Sequence, residues 1–217
     1  MEMDDERAAM VQTQLAPRGI SDRHVLEAMR RVPRHAFVPP GAQAYAYQDR
    51  ALPIGEEQTI SQPYVVALMA QALELNGDER VLEIGTGSGY AAAVLSLLAR
   101  EVYTMERRPA LAAEAAARLA RLGYTNVHVV VGDGTAGLPE HAPYDAITVA
   151  AAAPWIPQPL RDQLAPGGRL VIPVGGRDEQ VLLRLTRDAA GTRVERMNGV
   201  RFVPLLGAHA WDAPPTA

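Results

Sequence analysis

V-L-E-I-G-T-G-S-G-Y, residues 81–90, is the stretch from which the rest of the chain can be read. An apolar run interrupted by one acid, Glu83, leads straight into glycines at alternate positions, Gly85, Gly87 and Gly89. An Ala/Leu-rich helical pattern follows at once, from Ala91 to Arg100. This order predicts a buried parallel strand, a tight turn, and a helix whose N-terminus faces back toward that turn. Glycines at these positions permit positive φ and let a ligand approach the backbone. Taken alone, the same turn could also be no more than a strand-to-helix corner.

What the turn lacks narrows the ligand. A dinucleotide fingerprint, G-x-G-x-x-G, needs glycine where this chain has Tyr90. A phosphate loop ends in Gly-Lys-Ser/Thr, and no lysine stands nearby. Glu83, at the mouth of the turn, would repel a phosphate and attract a cation. S-adenosylmethionine carries an ammonium and a sulfonium and no phosphate. The spacing E-x-G-x-G-x-G resembles motif I of the class I methyltransferases, which draws Thr86 and Ser88 into the expected cofactor site with the three glycines and Glu83.

Downstream residues add to this. V-Y-T-M-E (102–106) reads as the next strand and ends on Glu106. That residue lies about 20 positions beyond Gly85, where a neighbouring strand's carboxylate meets the ribose hydroxyls. Its alternative is a solvated acid at a strand end. V-H-V-V-V (127–131) is a third strand, followed by G-D-G. Asp133 there can accept from an adenine amino group, and Gly132 and Gly134 let the ring approach. P-Y-D-A-I-T-V (143–149) is a fourth strand before the small run 150–153, and L-A-P-G-G-R-L-V-I-P-V-G (164–175) reads as a helix end, a Pro-Gly turn and a fifth strand. Strand and helix alternate from 80 to 175, with a Pro-opened helix over 110–122, which predicts an α/β, doubly wound, mostly parallel Rossmann-like sheet. Glu83, Gly85, Glu106 and Asp133 would converge at its switch point. Residues 180–186 and 192–198 look like an antiparallel closing hairpin, 201–205 is a last extended piece, and the tail through Pro214 and Pro215 reads as disordered.

The leading segment is different in kind. A helix over 4–16 stops at Pro17 and Gly19, and a second, capped by Ser21 or Asp22, ends before Pro33. From His35 to Glu57 the pattern breaks into short pieces, and a helix from about 63 then runs to near Gly77. With too few large apolar residues for its own core, residues 1–78 form an N-terminal helical extension capping a core of 79–217. At its end stands Q-T-I-S-Q-P-Y (58–64), where Ser61 suits an N-cap and Pro63 a first helical turn.

Composition excludes several classes. With no cysteine there are no disulfides or thiolate metal sites, and five scattered histidines offer no paired metal ligands, so no metal is expected. Net charge is −4 with no basic stripe, so nucleic acid is not an expected partner. No apolar run approaches the roughly 20 residues of a membrane span. An acidic start, Glu2 to Glu6, is unlike a signal peptide. A cytoplasmic monomer is the expectation.

The chain from about 10 to 207 resembles the protein-L-isoaspartate O-methyltransferase family. The motifs that carry this are V-P-R-H-A-F-V (32–38), L-P-I-G (52–55), Q-T-I-S-Q-P-Y (58–64), E-I-G-T-G-S-G-Y (83–90), G-D-G (132–134), P-Y-D-A-I (143–147) and R-F-V-P-L (201–205). The resemblance implies S-adenosyl-L-methionine as cofactor and isoaspartyl-containing proteins and peptides as partners. It also implies a reordered C-terminal sheet edge and Ser61 at the methyl-transfer site. Thr59, Ile60, Gln62 and Pro63 would then flank the substrate on one side, with Ala151 beneath and Val203 and Pro204 closing over. The methyl ester would close to a succinimide without further help and open partly to normal aspartate. A-A-A-A-P (150–154) departs from relatives that begin this run with Thr or Gly. Same-family chemistry dedicated to an aspartate-rich precursor peptide, and a non-catalytic cofactor-binding adaptor, stay open beside general repair.

Overall fold

The computed structural model describes residues 2–212, so the tail expected at Pro214 and Pro215 lies outside the described residues. α1 (Glu2–Met10) runs on through a wider turn, Val11–Leu15, and stops at Gly19 with φ 91. α2 (Arg23–Arg31) is capped by Asp22, whose carboxylate accepts from the backbone N–H of His24 and Val25 at 2.8 and 3.3 Å. Past two 3-10 turns come β1 (Leu52–Gly55) and β2 (Gln58–Ile60), an antiparallel hairpin where the sequence shows only short pieces. Its turn residues are Glu56 and Glu57, with φ 51 and 57, in place of the Asn-Gly type that signals such a turn. α3 (Pro63–Ala72) ends earlier than the expected Gly77, because Glu74 turns the chain at φ 50.

Strands and helices then alternate: β3 (Arg80–Ile84), α4 (Tyr90–Ser96), β4 (Glu101–Glu106), α5 (Pro109–Arg121), β5 (Val127–Val131), β6 (Tyr144–Val149), α6 (Gln158–Asp162), β7 (Leu164–Gly175), β8 (Gln180–Asp188) and β9 (Gly191–Val200). The Pro-Gly turn expected before the fifth strand is instead absorbed into β7 as an irregularity at Gly167, φ 81. The sheet order is β5-β4-β3-β6-β7-β8-β9. The first five strands are parallel, and β8 and β9 close the edge antiparallel, as the sequence predicts. The chain reverses direction across the sheet at β3, between β4 and β6, and that opens a crevice at the strands' C-terminal ends.

Strand alternation assigns the two faces. Val81 joins Leu15, Met29, Phe37 and Val94 in a cluster that packs cap and sheet together. Leu82 and Ile84 join Ile147, Leu160 and Leu170 on the other face. Glu83 therefore points to the same side as Val81, under α3 and α4.

Candidate active site

The glycine loop hangs from the end of β4: Gly85 and Thr86 donate their N–H groups to the Met105 carbonyl at 2.8 and 3.1 Å. Gly85, Gly87 and Gly89 have φ of 95, 51 and 86, which only glycine adopts without strain. Gly89 lies outside the cleft and allows close packing, since a Cβ there would press on Leu119 at 3.2 Å. Arg118 of α5 steadies the loop by donating to the Ser88 carbonyl at 2.8 Å.

Glu106 ends β4 with its carboxylate oriented by two backbone donors, Gly87 N–H at 2.9 Å and Arg108 N–H at 3.0 Å. It is buried and lines the cleft, so it is not the solvated strand-end acid. Glu83 behaves differently. It does not line the main cleft but a small chamber behind it, with Ser61, Val66, Leu95 and Thr148. Thr104 donates to its Oε2 at 2.6 Å, and the Thr104 and Thr86 hydroxyls share a hydrogen bond at 2.7 Å. Glu83 Oε1 has no partner. Burial pushes the Glu83 carboxyl up to about 8, against the Thr104 hydrogen bond and with help from nearby Glu106. Burial thus favours its neutral form, and it stands behind the cleft rather than at the mouth of the turn where the sequence places it.

Asp133 also departs from expectation. It accepts from the Thr135 N–H and hydroxyl at 2.9 and 2.7 Å and from the Ala208 N–H at 2.8 Å. Partial burial raises this carboxyl, but these hydrogen bonds outweigh it and hold the pKa below its usual value. Its side chain is not part of the cleft wall. Gly134 is, and a Cβ there would collide with Ile84.

Of the other expected residues, the cleft takes Thr86 and Ser88 from the glycine loop and Thr59, Ile60 and Ser61 from the β2 side. Ala151, Val203 and Pro204 cover it. The cover is a paired structure: Ala152 donates to Val203 O at 2.8 Å and Leu205 to Ala152 O at 2.7 Å. Gln62 and Pro63 stand back. Gln62 is the N-cap position of α3 and faces an open groove, while Pro63 is buried in the helix's first turn. Met105 and Arg108 line the cleft without having been expected there, and so do Tyr90 from the 83–90 motif and Ala150 from the small 150–153 run. Only adjacency to the motifs could have pointed to Met105 and Arg108. Ser61 is where cleft, chamber and open groove meet, and its hydroxyl has no protein partner among the described residues.

A family model described as protein-L-isoaspartate(D-aspartate) O-methyltransferase matches residues 5–210. The chain belongs to this family. The protein-L-isoaspartate O-methyltransferase of Roseiflexus sp. (strain RS-1) is 61% identical over 98% of this chain and 97% of its own. A solved protein-L-isoaspartate O-methyltransferase superposes with a TM-score of 0.83 at 30% identity, over 95% of this chain and 67% of that one. A Plasmodium falciparum structure assigned to the same family, in complex with S-adenosyl-L-homocysteine, gives 0.78 at 26% identity, over 92% of this chain and 98% of that one. The protein-L-isoaspartate O-methyltransferase fold thus accounts for both the parallel sheet and the cap.

Proposed function

We propose that this chain is an enzyme that transfers a methyl group from S-adenosyl-L-methionine to the α-carboxylate of L-isoaspartyl residues in damaged proteins and peptides. The observation that carries the proposal is the position of Ser61, at the junction between a buried cleft and an open groove. The cleft residues fit the cofactor. Each Glu106 oxygen accepts one backbone N–H and keeps lone-pair capacity for a ribose hydroxyl. Gly134, packed so tightly on Ile84 that a Cβ would collide with it, brings bare backbone to the cleft wall on the side proposed for the adenine. Gly85, Thr86, Gly87 and Ser88 cradle the remainder, and the orphaned Glu83 Oε1 waits behind them. When bound, the cofactor supplies an electrophilic methyl on a cationic sulfur.

The chain's own task is then alignment. An isoaspartyl carboxylate, with a reference value of about 3–4, is ionised at neutral pH, so no general base is required. Attack joins opposite charges and disperses them, which a water-poor cleft favours over the separated ions. Holding the reactants in line is worth roughly 7–11 kcal/mol. Ser61 donates its hydroxyl to the carboxylate and orients it without acting as a nucleophile. Thr59, Ile60, Ala151, Val203 and Pro204 grip the substrate main chain, while Gln62, Tyr64 and Phe202 in the groove guide an extended peptide onward. The L-aspartyl isomer carries the same charge, so discrimination is by placement: a shift of about 1 Å costs on the order of a hundredfold. We read the enzyme as monomeric and cytoplasmic. In support of a monomer, the exposed large apolar side chains among the described residues, Tyr45, Val131, Trp155 and Val194, lie on four separate segments.

Tritiated methyl transfer to an isoaspartyl peptide beside its aspartyl twin tests the proposal. Label should pass to the isoaspartyl peptide and be released by alkali as methanol. Equal labelling of both isomers sinks it. Activity confined to one precursor peptide would instead favour a dedicated substrate.

A further inference from the structure

The β1–β2 hairpin delivers Gln58, Thr59 and Ile60 to the cleft wall and turns at Glu56 and Glu57. Both turn residues have left-handed φ, 51 and 57. Two-residue hairpin turns of this kind are built from Asn, Asp and Gly, because a Cβ crowds the carbonyl oxygen there and only glycine, or the local hydrogen bonds of Asn and Asp, relieves it. A local rule broken without relief marks positions where the side chain has other work. For Glu56 that work is visible: its Oε2 lies 3.1 Å from Arg108 Nη1.

Arg108 belongs to the corner between β4 and α5. Its N–H orients Glu106, and its side chain lines the cleft. Glu56 does not line the cleft. On the hairpin's inner side, Ile54 packs so closely on Gly87 that a Cβ there would touch its Cδ1 at 3.4 Å. One ion pair therefore joins the corner that carries Glu106 to the hairpin that leads into Ser61, beside the cleft.

We infer that Glu56 and Arg108 form a clasp that holds the hairpin over the bound cofactor, with Glu56 a positioning residue acting through Arg108. This rests on the S-adenosylmethionine reading above. Side-chain exposures of 51% for Glu56 and 32% for Arg108 make the pair a weak one. Its loss should speed cofactor release by about two- to fivefold, and salt should weaken it. Glu57 makes no such bridge and serves as the control.

The test is release of bound tritiated S-adenosylmethionine after a chase with unlabelled cofactor, at low and high salt. Glu56→Ala should release label about two- to fivefold faster than wild type, with the difference shrinking at high salt. In an Arg108→Ala background the Glu56 change should add nothing. Glu57→Ala should match wild type. Glu56→Gly separates the clasp from plain stability: relief of the turn raises Tm while release still quickens. Equal release by wild type and Glu56→Ala, or undiminished acceleration in the Arg108→Ala background, overturns the clasp alone. A wild-type protein that retains no label refutes the cofactor reading itself, and the clasp with it.

Discussion

Ser61 suits a helix N-cap by residue type, but α3 starts one position later, with Gln62 at the cap and no side-chain cap hydrogen bond. Its hydroxyl is thereby left without a protein partner among the described residues. Ser61→Ala should shift stability by no more than about 0.5 kcal/mol, as at a site free of structural duties. Cofactor affinity should hold and turnover fall. Reduced Tm with full turnover would return the residue to capping. Glu83 makes a second residue-scale prediction. Its folded pKa of about 8 stands above the ordinary 4.5, chiefly through burial. The folded state keeps a proton that the unfolded state has lost, so this contribution to stability is full below 4.5 and vanishes as pH rises through about 8. Thermal melts of wild type should therefore decline with pH relative to Glu83→Gln, which cannot ionise. Parallel curves for the two proteins would show that Glu83 titrates normally.

At the scale of elements, the strand ends and the segments that cross them do separate jobs. Asp133 sits where an adenine contact was expected, yet its carboxylate ties the turn after β5 to the 207–208 chain. That chain continues the cover over the cleft, and Trp211 is paired back onto it through Leu205 and Gly207. Asp133→Ala should lower stability by about 1.5 kcal/mol, the low end for hydrogen bonds to a charged group. The loosened segment should alter Trp211 fluorescence before global unfolding. Intact stability with lost cofactor affinity would instead favour direct contact with adenine. The β1–β2 hairpin carries no local signal of a strand pair. The two central positions of its turn hold Glu56 and Glu57 rather than glycine or asparagine, and part of its support is Arg108, far along the chain.

Across the whole molecule, cap and sheet share one apolar cluster, with Phe37 of the leading segment packed on Tyr90 at the start of α4 at a centroid distance of 5.6 Å. We expect them to unfold together, although composition marks a boundary near residue 78. Native-state hydrogen exchange should give the protected amides of α2 and β4 the same opening free energy. A lower value confined to α2 would make the cap a separate unit. The alternation of strand and helix, the parallel sheet, the closing hairpin and the glycine loop were legible in the sequence. Each rests on short-range causes: periodicity, the φ tolerance of glycine, and proline at helix starts. The spacing from Gly85 to Glu106 was legible as well, since one helix and two strands fix it. Which way Glu83 faces, what Asp133 holds, and the placing of Ser61 and Glu106 on one cleft were decided only by tertiary structure. These depend on which face a strand buries and on groups brought together through space, where burial and orphaned hydrogen bonds set the chemistry.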